Sequence, residues 1–133
     1  MSAVVVDTHI AIWMLFAPQR LSAPSLAAIE EAVEAGEPVY IAAISLVEIT
    51  YLVEKGRLQQ EVLEKINHEI GDPAGGLALI PLDFAVTQSV RQIPRATVPE
   101  MPDRIIAATA LAFGLPLVTR DQQIRAANLS TIW

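Results

Sequence analysis

The 133-residue chain has no cysteine, which excludes a disulfide framework and leaves any metal site without thiolates. Histidine is almost as scarce: His9 and His68 are the only two, and they show no ligand spacing. Long apolar runs are missing too. The longest uncharged stretch, Ile105 to Thr119, is interrupted by Gly114 and Pro116 and is shorter than the roughly 20 residues a membrane-spanning helix needs. Met1-Ser2-Ala3 leads straight into an apolar segment with no basic residues ahead of it, so no secretory signal is expected and the cytoplasm is the expected location. Positive charge is in deficit, with nine Lys and Arg against fifteen Asp and Glu, a net charge of −6. That balance argues against a general nucleic-acid coat, which draws affinity from a broad basic surface.

What is present is apolar. Hydrophobic residues make up 53% of the chain and charged residues 18%, enough to offset chain entropy, and the length suits one compact domain over residues 1–133. No internal repeat or low-complexity tract divides it. The expected class is α/β, a single domain with a central, mainly parallel sheet of four to five strands flanked by helices. Val4-Val5-Val6 lacks the polar alternation of a half-exposed strand and predicts one buried on both faces. It ends abruptly at Asp7, and Ile10 to Leu15 suit a helix, so Asp7 lies at a strand-to-helix junction, the usual place for ligand sites in open α/β sheets.

Ser22 caps a second helix that runs to about Ala35, where Gly36 stops it. Pro38 to Ala42 forms a second strand, and Ser45 opens a third helix that ends at Gly56. An amphipathic helix follows from about Gln59 to Ile70. Gly71 to Gly76 is the clearest loop, Leu77 to Ile80 a third strand, and Asp83 caps a helix from about Phe84 to Gln92. The proline-rich link Pro94 to Pro102 delivers Asp103 to the first turn of a buried helix that Gly114 terminates. Leu115 to Thr119 is a fourth strand, Asp121 follows it, a short helix runs from about Gln122 to Ala127, and Thr131-Ile132-Trp133 adds an edge strand.

Three acids besides Asp7 repeat its arrangement: Glu48, Asp103 and Asp121. Each has a structural explanation, because a carboxylate near a helix start is stabilised by the macrodipole. Ser45 followed three residues later by Glu48 also fits a capping box. Jointly they point elsewhere. In a parallel sheet the strands preceding Asp7, Glu48 and Asp121 end on one side, so these carboxylates crowd one edge, with Asp103 arriving from a loop. Crowded carboxylates repel, and a bound cation removes the conflict. With only hard oxygens available, the expected ion is Mg²⁺ or Mn²⁺ and not Zn²⁺. Such an ion suits phosphodiester hydrolysis. Arg104 and Arg120, beside two of the acids, read either as a rim that meets phosphate or as solvated charges. His9 reads as a helix-start or core residue, Trp13 and Met14 as core, and Thr119 as a strand threonine that could also hold a ligand or water.

Four segments carry a family likeness. They are Val6-Asp7-Thr8-His9 with Trp13, Ile44 to Ile49 with Gly56-Arg57-Leu58, Pro102 to Ala108, and Leu117-Val118-Thr119-Arg120-Asp121. In combination and order they resemble the PIN-domain ribonucleases, and among those the VapC-type toxins of bacterial toxin–antitoxin pairs, over nearly the whole chain. The resemblance implies an endoribonuclease dependent on Mg²⁺ or Mn²⁺, with Asp7, Glu48, Asp103 and Asp121 as its catalytic and metal-binding acids. It also implies a homodimer, an RNA substrate, and a small VapB-like antitoxin that blocks the site. One departure is Glu100-Met101 before Pro102, where many relatives carry Asp-Pro; it touches loop shape and substrate contacts. Alternatives within the likeness are a stand-alone nuclease in RNA processing and a catalytically silent binding module.

Two rivals outside it fit less well. A haloacid-dehalogenase-like phosphatase needs a second aspartate two residues after the first, where this chain has His9. A receiver domain needs an early acidic pair and a late lysine, but the last lysine is Lys65.

Overall fold

The structure, a computed structural model, describes residues 2–133. In chain order the elements are β1 (Val4–Val6), α1 (Thr8–Phe16), α2 (Ala23–Glu34), β2 (Val39–Ala42), α3 (Ala43–Glu54), α4 (Gln60–Gly71), β3 (Ala78–Ile80), α5 (Phe84–Ser89), α6 (Met101–Phe113), β4 (Leu117–Val118), α7 (Gln122–Arg125) and β5 (Thr131–Ile132). Single 3₁₀ turns cover Pro18–Arg20 and Val90–Gln92.

The five strands form one sheet in the order β3-β2-β1-β4-β5. Every pairing is parallel, with Val5 opposite both Tyr40 and Leu117. The sheet is thus wholly parallel where the sequence predicted a mainly parallel one, and the short final edge strand is present. Parallel sheets need both faces covered, and the pattern of β1 meets that need. Val4 and Val6 join a core with Ile10, Trp13, Ile41, Ile49 and Ile66 on one face. Val5 joins Ile80, Val86, Ile93, Ile106 and Leu117 on the other. A strand with valine at every position is what two cores require.

β1 lies at the centre, and the chain winds one way from it to β2 and β3 and the other way to β4 and β5. The crevice beside β1 is therefore the topological switch point, where open α/β sheets place their ligands at the strands' carboxyl ends. The 72–76 loop, which precedes β3, lies at the opposite edge.

Helix boundaries follow the sequence signals with two differences. Ser22 caps α2 through the Ser25 N–H at 3.2 Å, Asp83 caps α5 through the Val86 N–H at 3.0 Å, and Gly114 ends α6 at φ +64, a left-handed conformation that glycine adopts without strain. The first difference is α3, which begins at Ala43 and not at Ser45. Ala42 is still extended and carries no side-chain cap, so the strand turns into the helix with no linker. Alanine has the highest intrinsic helix propensity, which favours a start at Ala43 even though Ala42 offers no capping side chain.

The second difference is the link before α6. It is irregular, as its prolines dictate, but Ile93 and Val98 are fully buried beneath it. Arg104 ties it down: Nε and Nη2 donate to the Ile93 carbonyl at 3.0 and 2.8 Å, and Nη2 also donates to the Val90 carbonyl at 3.0 Å. The phosphate-rim reading of Arg104 is thereby corrected, because its fork is occupied by the backbone carbonyls of Val90 and Ile93.

Candidate active site

At the carboxyl edge of the sheet a cleft of about 800 Å³ opens, lined among others by Asp7, Glu48, Asp103 and Asp121. All four acids singled out from the sequence therefore face one cavity.

Asp7 follows β1 and forms the N-cap of α1, its Oδ1 accepting from the Thr8 N–H at 2.7 Å. Its Oδ2 accepts from the Thr119 hydroxyl at 2.7 Å, so both carboxylate oxygens are oriented. Burial raises the Asp7 carboxyl above the usual range; the bonds from Thr119 and Thr8 and the nearby His9 work against this, while the charge of Asp121 adds to it. Thr119, fully buried after β4, also accepts from the Asp121 N–H at 3.1 Å. One hydroxyl thus fastens two of the four acids to each other. Asp121 caps α7, its Oδ1 accepting from the Gln123 and Ile124 N–H groups at 2.8 and 3.1 Å.

Glu48 is the sixth residue of α3 and is not a cap, so the capping-box reading of Ser45 and Glu48 does not hold. Instead both side chains reach across to Thr8. The Thr8 hydroxyl lies 2.8 Å from Ser45 Oγ and 2.6 Å from Glu48 Oε1. Thr8 has one proton, and an ionised carboxylate only accepts. Thr8 therefore donates to Glu48 while Ser45 donates to Thr8, a short chain of hydroxyls that fixes one glutamate oxygen. Burial raises the Glu48 carboxyl, opposed by the Thr8 bond and helped by the charge of Asp7.

Asp103, in the first turn of α6, has no hydrogen-bond partner among the described residues. Burial pushes its carboxyl up to about 7, and the charges of Asp7, Asp121, Glu48 and Glu100 push the same way. The mutual repulsion expected of crowded acids is thus felt most by the residue with no donor to relieve it. None of the four pairs with a cation among the described residues, where the two ion pairs are Lys65–Glu69 and His68–Asp72.

Among the described residues no three acids or histidines are drawn together closely enough to hold an ion as they stand. The acids border an open cleft and not a closed cage. Mg²⁺ keeps several waters and is ordinarily bound through one or two carboxylates, so oxygen donors spread round an open cleft, repelling one another and lacking a basic partner, fit such an ion in their chemistry.

Other predicted residues separate. Arg120 is exposed and lines the cleft, a place that suits a rim arginine and a solvated charge alike. His68 is exposed on α4 and away from the site. His9, the second residue of α1, is exposed and lines the cleft, which rules out a core role. Trp13 is 8% exposed and belongs to the core, but it also borders the cleft. The sequence assigns no role to Thr8 or Arg20, and to Ser45 only that of a helix cap. A hydroxyl directly after a strand-end acid was the available signal for Thr8. Arg20 offers none, since its neighbour Trp13 is seven positions away across a helix end.

A family model for the PIN domain matches residues 4–128. Ribonuclease VapC22 of Mycobacterium tuberculosis is 32% identical over 125 residues, 94% of this chain and 92% of that one. In fold, the chain resembles VapBC2 from Rickettsia felis, solved bound to a DNA fragment from its promoter, with a TM-score of 0.72, 18% identity, and 97% and 96% of the two chains covered. It also resembles a toxin–antitoxin complex from Klebsiella pneumoniae, with a TM-score of 0.60, 21% identity, and 92% and 90% covered. With its central β1, its acid-lined switch-point cleft and the family model spanning almost its full length, the chain belongs to the PIN-domain family.

Proposed function

We propose that the protein is a divalent-metal-dependent endoribonuclease that hydrolyses RNA phosphodiester bonds and acts as the toxin of a toxin–antitoxin pair. The observation that carries the reading is that Asp7, Glu48, Asp103 and Asp121 line one cleft, where burial, with the charges of the other three adding to it, raises Asp103 to about 7. Partly buried carboxylates that repel one another and have no basic partner are suited to an added positive charge. The similarity to a mycobacterial ribonuclease and the fold shared with toxin–antitoxin complexes support the choice of substrate and biological role.

Asp7, Glu48, Asp103 and Asp121 would hold Mg²⁺ or Mn²⁺, which when bound supplies charge neutralisation and water activation for phosphodiester hydrolysis. The chain's own groups prepare the site. Thr119 and the Thr8 N–H hold the Asp7 carboxylate in one orientation. The Ser45–Thr8 pair holds Glu48 Oε1 and leaves the other oxygen to orient water. Asp103, which has no hydrogen-bond partner among the described residues, would offer both its oxygens to the ion. Arg120 at the rim meets the RNA backbone. Residues 1–133 act as one nuclease unit, in the cytoplasm, as a homodimer, and a small VapB-like antitoxin blocks the cleft.

The test is cleavage of single-stranded RNA with Mg²⁺ or Mn²⁺. Asp7→Asn and Asp103→Asn each abolish cleavage while the circular dichroism spectrum and cooperative melting persist. Full activity in Asp103→Asn removes that residue from the metal site. Growth arrest on expression, relieved by co-expressing the product of a short neighbouring gene, tests the toxin role.

A further inference from the structure

The acids fill only part of the cleft. The rest of its wall includes His9, Ile12, Trp13, Ala17, Arg20 and Leu58. A water takes roughly 30 Å³, so an ion with its shell occupies a fraction of the 800 Å³ or so available. Two rings and a cation, His9, Trp13 and Arg20, stand among the aliphatic groups there.

Arg20 ends the 3₁₀ turn after α1 and lies over Trp13, its Cζ 4.6 Å from the ring centroid. Trp13 is braced in turn by Trp133 at 6.3 Å and by His9 at 5.9 Å between centroids, both tilted. Cation–π stacking fixes the plane of a guanidinium and leaves its N–H edge unused. That edge is free here. Among the described residues the arginine whose fork bonds to protein is Arg104, and no arginine forms an ion pair. Arg20 thus borders a cleft with four acids and pairs with none of them, in a chain where acids outnumber cations fifteen to nine. An oriented guanidinium of this kind matches phosphate bidentately, and an exposed ring such as His9 is what an unstacked base of single-stranded RNA settles on.

We propose that the His9–Trp13–Arg20 wall is a nucleotide subsite of the cleft. The free edge of Arg20 takes the backbone phosphate next to the one that is cut, and the exposed His9 ring stacks on that nucleotide's base. The subsite rests on the ribonuclease reading above, and gives that activity a demand for an unpaired nucleotide beside the cut.

Steady-state kinetics on a short single-stranded RNA with Mn²⁺ test it. The enzymes are wild type, Arg20→Ala, Arg20→Lys, His9→Ala and His9→Phe, and the substrates are the native oligonucleotide and versions with one flanking phosphate replaced by a neutral methylphosphonate. Arg20→Ala raises KM about tenfold, as expected for loss of a charge-assisted contact, with kcat, Mn²⁺ affinity and melting temperature at wild-type values. Arg20→Lys recovers part of the loss. A methylphosphonate at the matching position costs wild type the same factor and costs Arg20→Ala nothing further. His9→Phe, which keeps a ring, retains the wild-type KM and His9→Ala does not. An unchanged KM in Arg20→Ala, or a methylphosphonate penalty undiminished in it, overturns the phosphate contact and leaves the nuclease intact. Equal KM values for the two His9 variants overturn the stacking. Failure of wild type to cut any RNA overturns the subsite together with the activity.

Discussion

Thr119 is the side chain on which two acids depend. Its hydroxyl donates to Asp7 and accepts from the Asp121 N–H, so Thr119→Val, which keeps the shape and removes the oxygen, leaves a buried carboxylate and a backbone N–H each short of a partner. Loss of two such bonds costs about 2 kcal/mol of stability, measurable by urea denaturation, and Mn²⁺ affinity falls because Asp7 is no longer held. Asp103 makes a pH prediction. Its folded-state carboxyl sits at about 7, above its ordinary 3.8, so between these values the folded protein binds more protons than the unfolded chain, and stability falls as pH rises. Burial raises Asp7 and Glu48 in the same sense. Metal-free protein therefore melts highest in mild acid and progressively lower toward pH 7, and Asp103→Asn flattens the slope. Mn²⁺ affinity runs the opposite way, weakening below about pH 7 as protons compete for the same oxygens. Melting scans across pH with and without Mn²⁺ check both. The identity of these acids was legible because each follows a recognisable strand or proline signal. Glu48 was ambiguous, since the spacing that suits a capping box also suits a helix whose start lies two residues earlier. Only the position of Thr8, 40 residues away in sequence, decides between them.

Among the elements, the link from Ile93 to Glu100 determines where α6 begins and hence where Asp103 points. Arg104 holds that link through three hydrogen bonds to the carbonyls of Val90 and Ile93. Arg104→Ala frees those carbonyls and loosens the first turn of α6; we expect a loss of about 2 to 3 kcal/mol, together with a fall in kcat, whereas Arg104→Lys restores neither, for want of a planar fork. An unaltered melting temperature in Arg104→Ala counts against this role. The strands and helices themselves were readable, because consecutive valines, flanking glycines and capping residues are local signals. The anchoring of the link was not, because an arginine's partners 11 and 14 positions upstream are set by tertiary packing. The same holds for the Trp13–Arg20 stack, where a tryptophan that reads as core is at once core and cleft wall.

For the whole molecule, an ion that binds the folded chain and not the unfolded one raises the melting temperature by mass action. Millimolar Mn²⁺ is expected to raise it by several degrees, since about 1 kcal/mol shifts a domain of this size by roughly 3 °C. The shift disappears in Asp7→Asn. Among the described residues no helix is long and apolar enough to cross a membrane, and the architecture is that of the PIN-domain family throughout. The central position of β1 has a further consequence. The Val5 and Asp7 amides donate to carbonyls of the β4 segment, and the Val4 amide to Pro38 on the other side, so the backbone beneath the acids lies between two neighbours and away from either edge. Opening it requires separating the sheet, and its amide protons should exchange with deuterium only through global unfolding. A protease that clears this protein from a cell is therefore expected to pull the entire domain apart before the acids disperse.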